Sequence, residues 1–197
     1  MKAGAFAIAA ALCALAFAAP AAAQTAYAVG QGSPNQITLS IPVTASVGGR
    51  CGFATAPSGN HNEPDFDTHS WSRQFAFVLD CNGPSRVGVV SSNGGLLTPG
   101  AAPSGYATKA HYQVTLNLVP TSGSPVTGSC AAADLVAAGG CTFRGPASTA
   151  QGLRLGSSSV SVNGSYIQLS APAYAGADTL VNGTYSDTLT ITLSASP

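Results

Sequence analysis

The 197 residues carry seven basic and seven acidic side chains, so the formal net charge is zero and only 7% of the chain is charged, against about 25% in an ordinary domain. There is no basic stripe to meet a phosphate backbone, which argues against nucleic acid as a partner. There is no acidic block either. So little charge leaves self-association weakly opposed, a property tolerable in a chain that assembles.

Met1-Lys2, an apolar uncharged run from Ala3 to Ala19 and the small residues Ala21-Ala22-Ala23 before Gln24 read as a secretory signal peptide over residues 1–23. Pro20 and the alanine-rich composition count against a membrane anchor, and no other stretch is apolar enough to span a bilayer. The expectation is therefore an exported product with no membrane span after cleavage. Residues 24–36, with Gly30, Gly32 and Pro34, read as a short lead-in, and residues 37–197 as one domain.

Helix signals are almost missing from that domain. Ile37–Val47 alternates Ile37, Leu39, Ile41, Val43, Ala45 and Val47 on one face, the period of a strand with one buried side. Gln74–Asp80 groups Phe75, Phe77 and Leu79; after the turn Asn82-Gly83-Pro84 comes a strand over Arg86–Ser91. Ala110–Val119 sets Tyr112, Val114, Leu116 and Leu118 on one side. Val160–Leu169 is interrupted by Asn163-Gly164 and reads as a hairpin or a bulged strand. The last strand runs over Tyr185–Ala195, with Tyr185, Leu189, Ile191 and Leu193 on alternate positions. Ala56–Ser72, Asn93–Thr108 and Thr121–Ala150 are polar, Gly/Pro-rich loops; only Ala131–Ala138, inside the third, looks locally helical. Short strands punctuated by turns predict an antiparallel β-sandwich.

Once Cys13 leaves with the signal, Cys51, Cys81, Cys130 and Cys141 remain. An even number in an exported chain predicts disulfides. Of three pairings we favour Cys51–Cys81, joining two strand ends, and Cys130–Cys141, bracketing a short Ala/Gly loop. Zinc would require closer Cys-x-x-Cys spacing.

Catalytic signals are poor. The segment His61-Asn-Glu-Pro-Asp-Phe-Asp-Thr-His69 holds the single Glu, two Asp and two of three His. Glu63, Asp65 and Asp67 offer oxygen ligands and the histidines nitrogen ligands, but no calcium-loop spacing is present and a solvated loop is the plainer reading. No Gly-x-Ser-x-Gly elbow accompanies the many serines, and the glycine pairs precede no helix with a Lys. Trp71 offers a sugar-stacking face, yet packing beside the Phe75 strand suffices. The Asn163 and Asn182 sequons are equally good turns. No enzyme, cofactor or metal is predicted.

Several stretches in order resemble one family: "ITLSIPVTASVGGRC", "FAFVLDCNGPSRVGVV", "HYQVTLNLV" and the terminal "NGTYSDTLTITLSAS". Together they are similar to the spore coat protein U domain family, which includes the Csu-type archaic chaperone–usher pilus subunits. The Cys130–Cys141 loop and Pro42 depart from its pattern. The resemblance implies an incomplete immunoglobulin-like antiparallel β-sandwich lacking its last strand, with an N-terminal donor strand. A periplasmic chaperone, and then the N-terminal segment of another pilus subunit delivered through an outer-membrane usher, would fill the gap. Ile37, Leu39, Ile41 and Val43 are the expected donor residues, and Tyr185, Leu189, Ile191 and Leu193 the edge of the groove. Pro42, lacking an N–H, suits a junction between donation and self-pairing. Tyr185 resembles the tyrosine corner of such sandwiches, and Asp187 a turn or edge-protecting charge. The implied setting is the periplasm and then a cell-surface pilus. A self-contained secreted binding module, an adhesin or carbohydrate-binding sandwich, is the rival reading.

Overall fold

The computed structural model describes Thr44 and residues 49–196. The chain divides into two units, Met1–Ala45 and Ser46–Pro197, and the account below is of the second. The expected signal peptide, the lead-in and the donor residues Ile37, Leu39, Ile41 and Val43 lie outside the described residues.

The fold is an all-β sandwich. Among the described residues twelve strands follow in order: β1 (Cys51–Thr55), β2 (Trp71–Cys81), β3 (Ser85–Ser91), β4 (Leu96–Leu97), β5 (Tyr106–Ala107), β6 (Lys109–Ala110), β7 (Gln113–Leu118), β8 (Val126–Ala131), β9 (Leu153–Leu155), β10 (Ser159–Ala171), β11 (Thr179–Leu180) and β12 (Leu189–Ala195). One sheet has the order β1-β2-β10-β7-β8 and the other β12-β3-β9, each antiparallel throughout; β4-β6 and the parallel β11-β5 form small ribbons.

Alternation builds the core. Phe77 and Leu79 of β2, Val87 and Val89 of β3, and Val114, Leu116 and Leu118 of β7 are all buried, and Tyr112 with them. The period-2 pattern placed Phe77, Leu79, Tyr112, Val114, Leu116 and Leu118 on such faces; for Arg86–Ser91 it gave the strand alone. β2 starts at Trp71 rather than Gln74, so Trp71 is a buried strand residue. The Asn163-Gly164 interruption is a bulge: β10 runs continuously from Ser159 to Ala171, with register shifts against β2 between Val160 and Ser165 and a left-handed Ser161.

Three expectations need correcting. Cys51 opens a strand, β1, instead of closing one; Cys51 faces Cys81 across the β1–β2 ladder. Tyr185 is not part of the last strand, which begins at Leu189. The chain at 182–188 bends because Asp187 collects hydrogen bonds that draw it out of the ladder, as described below. The segment 121–150 is no plain loop. It contains β8 and a 3₁₀ turn, Ala132–Leu135, whose Leu135 is buried. Buried Phe143 and its neighbours then cap β3, with Val89 N–H donating to Phe143 O at 2.9 Å and Gly145 N–H to Val89 O at 2.8 Å.

That cap explains Gly88. A Cβ there would lie 2.8 Å from Ala147 N and 2.9 Å from Gly145 Cα, backbone that cannot swing away as a side chain would. Gly88→Ala is expected to cost about 2 kcal/mol by overpacking, read as a lower urea midpoint at unchanged slope.

Both disulfides form as favoured, Cys51–Cys81 and Cys130–Cys141. Arg50 adds a two-point ion pair with Asp80 at 2.9 and 3.2 Å beside the first of them. Two disulfides place the folded chain in an oxidising, exported setting. Among the described residues no helix is long and apolar enough to cross a membrane.

Candidate functional site

β3 is the central strand of the three-stranded sheet. On one side of β3 lie β9 and residues 143–145. On the other side lies β12, paired with β3 from Leu189–Ser91 to Ala195–Ser85. Among the described residues no strand pairs with the outer edge of β12. Its apolar set is only half-buried: Leu189, Ile191 and Leu193 pack on the core without being enclosed by it.

A cavity of about 350 Å³ opens beside that edge. Leu189 and Ile191 form one wall, and its floor is the core face of the five-stranded sheet, with Phe75, Ile167 and Leu169. The far wall is the loop that follows β1, residues 57–63 with Phe66. Gly59 lets this loop touch the floor: its φ is +131° and a Cβ would meet the Phe75 ring at 3.1 Å. β1 and β12 also approach each other across the two sheets, and Leu193 is not part of the cavity lining.

Two polar devices, Asp187 and Tyr185, stand in the cavity lining. Asp187 accepts six hydrogen bonds. Oδ2 takes Ser91 Oγ at 2.6 Å, Tyr112 Oη at 2.7 Å and Gly95 N at 3.3 Å. Oδ1 takes Ser92 Oγ at 2.8 Å, Asn93 N at 3.0 Å and Thr188 N at 2.7 Å. The carboxylate ties the β3–β4 turn and the entry to β7 to the start of β12. Burial pushes the Asp187 carboxyl up, but the hydroxyls of Ser91, Tyr112 and Ser92 and the Asn93 amide outweigh it and hold it below the usual carboxylate range. Burial, reinforced by this carboxylate, drives the Tyr112 phenol far up.

Tyr185 is the second device. Its hydroxyl lies 2.9 Å from Val181 O and 3.1 Å from Ala107 O, and its ring meets Phe66 edge-on at 5.4 Å. A tyrosine bonding back to backbone four residues upstream has the geometry of a tyrosine corner. Tyr185 therefore borders the groove from its rim, and of the expected edge residues only Leu189 and Ile191 line the cavity beside it.

The charged loop reaches the same cavity. Glu63 Oε2 lies 2.9 Å from His61 Nε2, and Glu63 Oε1 lies 2.8 Å from His69 Nε2. The His61 ring packs on Trp71, centroids 5.7 Å apart. The His69 hydrogen bond chiefly, with help from His61 and against desolvation, holds the Glu63 carboxyl below the usual range. Among the described residues no three such side chains converge as metal ligands. The sequence missed Phe66 and this loop as a wall over the Phe75 floor. Only the isolated aromatics in a polar stretch signalled it.

Fold and site together define a doubly disulfide-bonded β-sandwich with a cavity beside its β12 edge. Comparison with family models, curated proteins and solved structures finds no match to this chain.

Proposed function

We propose that the chain is a structural subunit of a surface pilus, an incomplete immunoglobulin-like sandwich whose groove beside β12 receives a strand from another copy. The observation that carries this reading is the outer edge of β12, unpaired among the described residues, beside a cavity that opens into the core. A row of unsatisfied N–H and C=O groups next to apolar surface is what β-augmentation uses. The occupant is the segment Ile37–Val43. Its seven residues equal β12 in length, about 23 Å of strand, and Ile37, Leu39, Ile41 and Val43 supply one apolar face. A periplasmic chaperone would cover the same edge before an outer-membrane usher passes the subunit on. The rival, a self-contained binding module, draws support from the cavity's size and its aromatic and polar lining, which suit a small ligand.

Size exclusion with light scattering separates the two. The refolded chain is expected to give concentration-dependent oligomers, and deletion of 37–41 to give monomers that still take up a synthetic peptide of residues 36–47. Ile191→Arg is expected to block that uptake. A wild-type monomer indifferent to the deletion overturns the proposal and favours the module.

A further inference from the structure

The few charges of the described domain are sorted between its two ends. β12 runs from Leu189, opposite Ser91, to Ala195, opposite Ser85. At the Leu189 end stand three exposed carboxylates, Asp65, Asp67 and Asp178, whose side chains have no hydrogen bond or ion pair among the described residues. Tyr174, just past β10, donates its N–H to Asp67 O at 2.9 Å, and the Asp67 charge bears on Tyr185. Asp178 precedes β11, whose partner β5 carries the Ala107 carbonyl that Tyr185 meets. Glu63 and Asp187 lie in the cavity lining of the same end, and the turn bearing Asp134 packs beside Gly94. Arg73 of β2 and Lys109, which lies against Gly95, offset part of this negative charge. Arg144 sits between the ends, opposite Val89.

The Ala195 end is basic. Arg86 and Arg154 face each other across the β3–β9 ladder, and like charges directly opposite repel. Arg86 donates to Thr149 O and Gly152 O, whereas the exposed Arg154 has no partner among the described residues. Among those residues Asp80 is the one carboxylate at this end, and Arg50 neutralises it. The chain that follows the donor segment joins the domain here too, since Arg50 N–H donates to Asn82 Oδ1 of the β2–β3 turn at 2.9 Å. Residues 44–50 reach about 23 Å at most. A domain that donates its strand is therefore held close to whichever end of the acceptor groove its Val43 reaches. At the Leu189 end, its arginines meet the acceptor's carboxylates. At the Ala195 end, they meet the acceptor's own arginines.

We infer that the carboxylate end of one copy, Asp65, Asp67 and Asp178, docks the arginine end of a second copy, Arg86 and Arg154, and that this contact sets the polarity of assembly, with the donor strand antiparallel to β12. This rests on the reading of the groove as a strand acceptor. Backbone pairing is available to a strand in either direction; the charges separate the two. Exposed ion pairs add little affinity, but they steer the encounter and penalise the approach of like charges. The effect therefore falls on the rate and direction of growth.

The test follows growth of the refolded full chain by light scattering at about 20 mM and about 500 mM NaCl, where screening is weak and strong. A labelled peptide of residues 36–47 has no charged side chain, so its anisotropy reports the groove alone and confirms that each variant is folded. Wild-type growth is expected to slow about tenfold at the higher salt. Arg154→Glu is expected to grow about tenfold more slowly than wild type at low salt and at nearly the wild-type rate at high salt, with peptide uptake unchanged. Adding Asp67→Lys and Asp178→Lys to Arg154→Glu is expected to restore most of the lost rate. Arg154→Lys, treated with a carbodiimide, is expected to cross-link position 154 to Asp65, Asp67 or Asp178 of another copy. Peptide uptake with growth that salt does not slow, or with no loss of rate in Arg154→Glu, overturns the docking. Cross-links that miss all three carboxylates overturn the polarity. A wild-type chain that takes up no peptide overturns the strand-acceptor reading and the docking with it.

Discussion

Asp187→Ala is expected to lower the unfolding free energy by about 3 kcal/mol. Six donors lose their acceptor at once, and each buried donor left unpaired costs about 1–3 kcal/mol. The carboxylate is only half-buried, so several of those donors turn to water and the sum is strongly discounted. Tyr112→Phe removes one of the six bonds and is expected to cost about 1 kcal/mol. The two changes are not additive, because they share a bond, and a double-mutant cycle reads the difference. The pH dependence follows from direction alone. The folded carboxyl titrates below its unfolded value, so its contribution is complete above about pH 4 and is lost as pH falls through the folded value. Urea unfolding at pH 7 and near pH 3 checks this. A mutant less than 1 kcal/mol below wild type at pH 7, or a mutational difference that does not shrink in acid, rejects the keystone role.

Removing the two disulfides should have unequal consequences. Cys51 and Cys81 are 30 residues apart and Cys130 and Cys141 are 11 apart. On loop-entropy grounds the Cys51→Ala/Cys81→Ala pair is expected to cost about 3–4 kcal/mol, and Cys130→Ala/Cys141→Ala about 1 kcal/mol less. The longer bridge also fixes β1 to β2, and the loop that follows β1 walls the cavity. Its loss is therefore expected to weaken uptake of the 36–47 peptide as well as stability, whereas loss of the shorter bridge should leave uptake unchanged. Denaturant midpoints and peptide anisotropy on the two double variants decide it. A larger cost for the shorter bridge would point to native packing around Leu135 and Phe143 in place of chain entropy.

The strands that alternate cleanly were legible because each lies with one face on the core. Val114, Leu116 and Leu118 are the plainest case: a pattern of period two, unbroken by glycine, and all three buried. β1, β8 and β9 were not legible. They are five, six and three residues long, and glycine or polar residues stand where alternation would show. β1 and β9 pair with neighbours distant in sequence, Cys51 facing Cys81 and Val87 facing Leu153, and β8 pairs with β7 across a short connection. Asp187 was read as a local charge because its partners, residues 91–95 and Tyr112, lie 75 or more positions away.

By itself the sequence determined the class of the molecule, an all-β, disulfide-bonded sandwich, because side-chain alternation and cysteine number are properties of local order and composition. It also marked Leu189, Ile191 and Leu193 as one apolar face. Only the tertiary structure decided what stands opposite that face. The cavity beside β12 is made by Phe75, Ile167 and Leu169 of the other sheet and by a charged loop folded over them, contacts between segments far apart along the chain that no local pattern encodes.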